Sequence, residues 1–154
     1  MSFGEREALT SLVTMLLVLM LFYWYLGNNF AAGVYDAPDG LMVWARSVLK
    51  LILAGMGVAL IVTVLSTAIV AFLHKMGTAD EPAPDLTDER DHLIEVRGMR
   101  IGSHVMTIGL VAMILDLAFN GGTVFRALNL VLLASAMSEV TKNIYKIYRY
   151  RAGF

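Results

Sequence analysis

The chain has 154 residues, of which 58% are hydrophobic, and a mean hydropathy of +0.68, values outside the range of a soluble domain that make a bilayer the expected solvent. Twelve basic against thirteen acidic residues leave a net charge of -1, so no overall field attracts nucleic acid and no direct nucleic acid binding is expected. The absence of cysteine excludes disulfides, thiolate metal sites and cysteine nucleophiles.

The first apolar run, residues 9–26, follows a short polar start containing Glu5, Arg6 and Glu7. Its 18 uncharged residues give about 27 Å of helix, enough for a span. The run is too long for the core of a secretory signal and ends on the bulky cluster Phe22, Tyr23, Trp24 and Tyr25, which suits a water-membrane boundary. Gly27, Asn28 and Asn29 are expected to end the helix by supplying turn conformations. A loop over residues 30–40 follows, with Asp36, Pro38, Asp39 and Gly40 and no lysine or arginine.

Residues 41–75 contain no proline and would extend about 52 Å as one helix, beyond a hydrocarbon core of about 30 Å. The first turns mix Trp44, Arg46 and Lys50 with apolar residues, so they are assigned to an interfacial helix that precedes a span over about 51–73. A bend or close approach is expected at Gly55 and Gly57. The composition then becomes acidic and turn-rich through Pro82 and Pro84, as in a connector.

Residues 87–100, TDERDHLIEVRGMR, form the longest densely charged stretch in the chain. Thr87 or Asp88 can cap a helix whose first turn holds Glu89 and Asp91, the sign favoured at the positive end of the dipole. Leu93, Ile94, Val96 and Ile101 give it an apolar side, so it is expected to run unbroken into a third span over about 101–119. Asn120, Gly121, Gly122 and Thr123 make a tight turn into a fourth span over about 124–142, and so short a connection makes the two spans antiparallel neighbours. The tail interleaves Lys142, Lys146, Arg149 and Arg151 with Tyr145, Tyr148 and Tyr150, the composition of an interface anchor.

Basic residues set the expected orientation. The connector and charged helix carry Lys75, Arg90, Arg97 and Arg100, the tail carries four more, and the first loop carries none. The positive-inside rule then places both termini and the 75–100 segment in the cytoplasm. Arg46 and Lys50 go against that rule.

Two groups of polar residues interrupt the apolar pattern. Asp116 lies about 22 Å beyond Ile101, where an unpaired carboxylate costs about 2.5 to 3.5 kcal/mol. Asn129 falls at nearly the same depth and Arg126 about one turn higher, so the hairpin allows an Asp116, Arg126 and Asn129 cluster, either a register device or a proton or cation relay. At the other end, Arg97, Arg100 and His104 share a face by i, i+3, i+7 spacing, and Glu139 and His74 lie at a similar level. His74, His92, His104 and Glu139 lack the tight ligand spacing of a zinc motif. Neither metal nor cofactor is expected, and no phosphate loop or nucleophile motif suggests an enzyme.

The string Asp88, Glu89, Arg90 followed by Ile94, just ahead of the third apolar run, resembles a pattern in a family of small bacterial and archaeal four-helix membrane proteins whose domain has no assigned function. The similarity covers about residues 87–150, including the GG hairpin, and is weak in the first two helices. Some small membrane proteins of comparable layout look like partners of helix-turn-helix regulators, which implies a docking surface on the charged helix.

The expected fold is therefore an all-α integral membrane four-helix bundle with a cytoplasmic extension of the third helix. The expected function is a non-enzymatic scaffold or regulator in the inner membrane, binding a protein partner through Asp88, Glu89, Arg90, Glu95, Arg97 and Arg100. The alternatives are a homo-oligomeric transporter or channel component using Asp116, or an accessory subunit of a larger membrane complex. Membrane lipids are partners in every case.

Overall fold

The computed structural model describes residues 3–75 and 89–152. Among these residues the regular structure consists of four helices, α1 (Phe3–Ala31), α2 (Gly40–Lys75), α3 (Glu89–Asn120) and α4 (Val124–Ala152). All four are long and apolar enough to cross a membrane, so the all-α membrane class expected from composition is the one observed. Within the most apolar 18-residue windows of α1 and α2 only 6% of the residues are buried by the protein itself, so lipid is the natural cover for the rest. The proposed capping residues Thr87 and Asp88, and the side chain of His74, lie outside the described residues.

The chain divides into two compact units, the first comprising Met1–Leu19 with Thr87–Phe154 and the second Met20–Leu86. In the second unit, α1 does not stop at Gly27, Asn28 and Asn29 but continues to Ala31. The stop comes at Gly33, whose φ of 68° is the left-handed conformation that glycine adopts without strain. The Gly33 N–H donates to the Phe30 carbonyl and the Val34 N–H to the Asn29 carbonyl, each at 3.0 Å, which satisfies the last carbonyls of the helix. An interior glycine costs a helix only about 1 kcal/mol, so Gly27 is tolerated while Gly33 terminates.

α2 begins when the Asp39 carbonyl accepts the Met42 and Val43 N–H groups. A Cβ on Gly40 would overlap the Tyr35 carbonyl oxygen, so the loop needs glycine there. α2 is α-helical without interruption through Gly55 and Gly57. The separate interfacial helix expected over its first turns is therefore the start of one helix about 54 Å long. Nothing lies within 4 Å of a Cβ placed on Gly57, so that glycine makes no close approach. Inside this helix Ser47, Thr63 and Thr67 donate their hydroxyls to carbonyls four residues back, which satisfies them without a partner helix.

In the first unit, α3 and α4 are the helices in closest packing. Gly121, with φ 60°, turns the chain, and Thr123 caps α4: its hydroxyl accepts the Arg126 N–H at 3.3 Å and its carbonyl the Ala127 N–H at 3.0 Å. The tight antiparallel hairpin expected from Gly121 and Gly122 is observed. α4 extends to Ala152, about 15 Å past Lys142, so the basic tail is part of the helix.

Candidate functional site

Small residues set how closely α3 and α4 approach. A Cβ on Gly109 would overlap the Ala134 Cβ, and a Cβ on Gly102 would lie 3.0 Å from the Ser138 hydroxyl and 3.1 Å from its carbonyl oxygen. The Ser138 hydroxyl donates to the Gly102 carbonyl at 2.7 Å, a polar contact between helices of the kind worth about 0.6 to 2 kcal/mol in lipid. One turn further, Gly98 faces the stems of Lys142 and Lys146 and the Tyr145 ring. The Gly98-xxx-Gly102 spacing was legible in GMRIG as a small-xxx-small pair, although the close approach was expected at Gly55 and Gly57 on α2.

At the hairpin end this close approach brings Asp116 under α4. Asp116 is only 7% exposed. Its Oδ1 accepts from Arg126 Nη2 at 3.0 Å and from Asn120 Nδ2 at 3.1 Å. Its Oδ2 is buried, has no hydrogen-bond donor among the described residues, and lies where a Cβ on Gly122 would come within 2.6 Å. The expected Asp116 and Arg126 pairing is present, but Asn129 is not its third member, because its amide donates to the Phe125 carbonyl at 2.8 Å, one turn back on its own helix. Asn120 takes that place, and its i+4 spacing from Asp116 puts it on the same face of α3. The pair opens onto a groove with apolar walls formed by Ala112, Leu115, Phe119 and Leu130.

At the other end, the charged turns of α3 do not stand alone; they pair with the tail of α4. Ile94 is 1% exposed. Glu95 forms an ion pair with Lys146, Glu139 with Lys142 at 2.6 Å, and Arg151 with Glu5 of α1 at 2.8 Å. The Tyr150 hydroxyl hydrogen-bonds Asp91; this tyrosine lies past the apolar part of α4. Burial, the Asp91 charge and hydrogen bond, and the charges of Glu7 and Glu95 push its pKa up to about 12. The start of α1, the start of α3 and the end of α4 thus meet at one end of the first unit, forming a helical arm beyond the apolar segments.

The expected docking residues divide between two faces of this arm. Glu95, facing α4, is engaged by Lys146 and is half-buried, as is Arg90, so neither presents itself fully to a partner. Glu89, Leu93, Arg97, Arg100 and His104 are exposed and lie, by helical spacing, opposite the face that buries Ile94, Gly98 and Gly102. Of the expected inner cluster of His74, His104 and Glu139, the His74 side chain lies outside the described residues, and Glu139 pairs with Lys142 on its own helix. Among the described residues no group of three histidine, aspartate or glutamate side chains converges on a common point.

No family model, curated protein or solved structure matches the chain.

Proposed function

We propose that the protein is a non-enzymatic integral membrane scaffold or regulator, seated in the inner (cytoplasmic) membrane with both termini in the cytoplasm, that presents the α3–α4 arm to a protein partner. The observation that carries this reading is the division of α3 into two faces: one burying Ile94 and packing against α4 at Gly98, the other keeping Glu89 and Leu93 exposed on a helix that continues from the apolar segment without a break. A loop that served only to connect two spans would not need a second helix packed along it. The basic residues of the arm and tail support the cytoplasmic assignment.

The test is an in-cell photo-crosslinker placed at His92, compared with a variant carrying Glu89→Lys and Leu93→Asp. Glu95 is left untouched, since replacing it also removes its contact with Lys146. A crosslinked partner band that disappears in the variant, at equal membrane insertion, supports docking on this face. A band of unchanged intensity refutes it.

The Oδ2 of Asp116, buried without a donor among the described residues, favours one other reading, a transporter or channel component working as a homo-oligomer. Four helices are too few for a roomy path, so this version needs several copies. Proton or cation flux in vesicles that is abolished by Asp116→Asn supports it, and flux that is absent or unaltered confines Asp116 to packing.

A further inference from the structure

Among the described residues, the ion pairs of the arm leave Arg97 and Arg100 of α3 over. Lys142, Lys146 and Arg151 are matched by Glu139, Glu95 and Glu5, whereas Arg97 and Arg100 have no ion pair or side-chain hydrogen bond among the described residues and are both exposed. They are three residues apart on the helix face turned away from α4, so their side chains are neighbours. His104, also exposed, follows one turn later on the same face. Below these residues the face becomes apolar and stays exposed through Ile108, Val111 and Leu115. A cationic fork therefore stands directly above a strip of aliphatic side chains, at the point where α3 changes from charged to apolar.

We infer that Arg97 and Arg100, with His104, form a binding site for the phosphate of an anionic membrane phospholipid whose acyl chains lie along Ile108, Val111 and Leu115. The inference rests on the membrane reading of α3 but not on a protein partner. Guanidinium groups offer forked N–H donors that match phosphate oxygens, and a lipid is the occupant that supplies an anion and two long apolar chains in this order along one helix face. A free phosphate would satisfy the arginines but leave the aliphatic strip uncovered. The neighbouring acids do not cancel the site: Glu95 faces α4 and is paired with Lys146, Asp91 lies by helical spacing on the side that buries Ile94 and Gly98, and Glu89, eight residues before Arg97, is about 12 Å away along the helix. The site also fixes the depth of α3: with Arg97 and Arg100 at headgroup level, Glu89 and Leu93 lie one to three turns out in water, where the proposed docking face needs them.

Native mass spectrometry of the full chain in mild detergent tests this, with phosphatidylglycerol and phosphatidylcholine offered at equal concentration. The wild type is expected to retain phosphatidylglycerol preferentially. Each arginine near an anionic surface contributes a factor of about five, so Arg97→Gln with Arg100→Gln is expected to weaken that retention about twenty-five-fold. Arg46→Gln with Lys50→Gln removes the same charge from exposed positions on α2 and is expected to leave retention unchanged. Equal losses in the two double variants, retention of both lipids alike by the wild type, or unaltered retention in the arginine variant would each overturn the site. If the arginine variant loses the crosslinked partner but keeps the lipid, the two arginines belong to protein docking and the inference fails. Loss of the partner in the Glu89→Lys, Leu93→Asp variant with lipid retention intact would separate the two surfaces.

Discussion

Gly109→Ala is the substitution that most directly probes how α3 and α4 are held. A Cβ at this position would come within 3.2 Å of the Ala134 Cα and closer still to its Cβ, whereas carbon atoms in good contact sit about 3.5 to 4.0 Å apart. Neither atom belongs to a flexible side chain, so the helices themselves must separate, and overpacking of this kind costs about 1 to 3 kcal/mol. Opposing it is the gain of up to about 1 kcal/mol from replacing an interior helical glycine by alanine. Gly57 supplies the reference, since its Cβ position is open: Gly57→Ala is expected to stabilise by up to about 1 kcal/mol, leaving the two substitutions about 1 to 3 kcal/mol apart. Reversible unfolding in mixed micelles titrated with sodium dodecyl sulfate measures both. Ala134→Gly, which removes the opposing methyl, is expected to relieve the strain when combined with Gly109→Ala, giving a favourable coupling of the size seen for residues in contact. If Gly109→Ala behaves like Gly57→Ala, or if Ala134→Gly fails to relieve it, close helix approach is not what holds the hairpin.

Three further outcomes follow from the same geometry. Asp116→Ala removes the acceptor shared by Arg126 and Asn120 and is expected to weaken the hairpin by about 0.6 to 2 kcal/mol, the usual worth of such contacts in lipid, in the same micelle titration; no change would mean the cluster adds nothing to the hairpin. Gly33→Ala places a side chain at a φ of 68° and is expected to cost about 1 to 2 kcal/mol, read as easier proteolysis at the α1–α2 loop. Tyr150, with its pKa raised from 10.0 to about 12, titrates later in the folded state than in the unfolded one. Its contribution to stability is therefore complete below pH 10 and is lost as pH rises toward 12. Tyr150→Phe should delete the latest step of the tyrosinate absorbance titration, and loss of a step near the ordinary value of 10.0 instead would remove the raised pKa of Tyr150 from the account.

The sequence displayed the spans more clearly than their ends. Uncharged apolar runs of bilayer length can hardly be anything but membrane helices, and the two glycines after Asn120 forced an antiparallel hairpin. Helix termini depend on backbone conformation, and two stop signals competed in α1: Gly27, which an apolar helix tolerates, and Gly33, where a pair of N–H groups closes the last turn. In the candidate site, Asp116 and Arg126 were legible because a carboxylate among apolar residues demands a cation. Depth along the span pointed to Asn129, but depth does not say which way a side chain points; helical spacing from Asp116 selects Asn120. The continuation of α4 was hidden for a different reason. A tail of lysines, arginines and tyrosines has no strong helical period, and becomes a helix where Glu95 and Asp91 of α3 meet its Lys146 and Tyr150.

The central claim is that α3 and α4 cross a bilayer with the arm on the cytoplasmic side and the hairpin turn on the other. The absence of native cysteine makes single-cysteine labelling with a membrane-impermeant maleimide the most direct measurement. The account expects Thr123→Cys to label in intact cells and Glu89→Cys and Arg151→Cys to label only after the membrane is opened. Labelling of Glu89→Cys in intact cells would invert the orientation, and equal labelling of all three positions before and after permeabilisation would contradict the membrane-spanning hairpin itself.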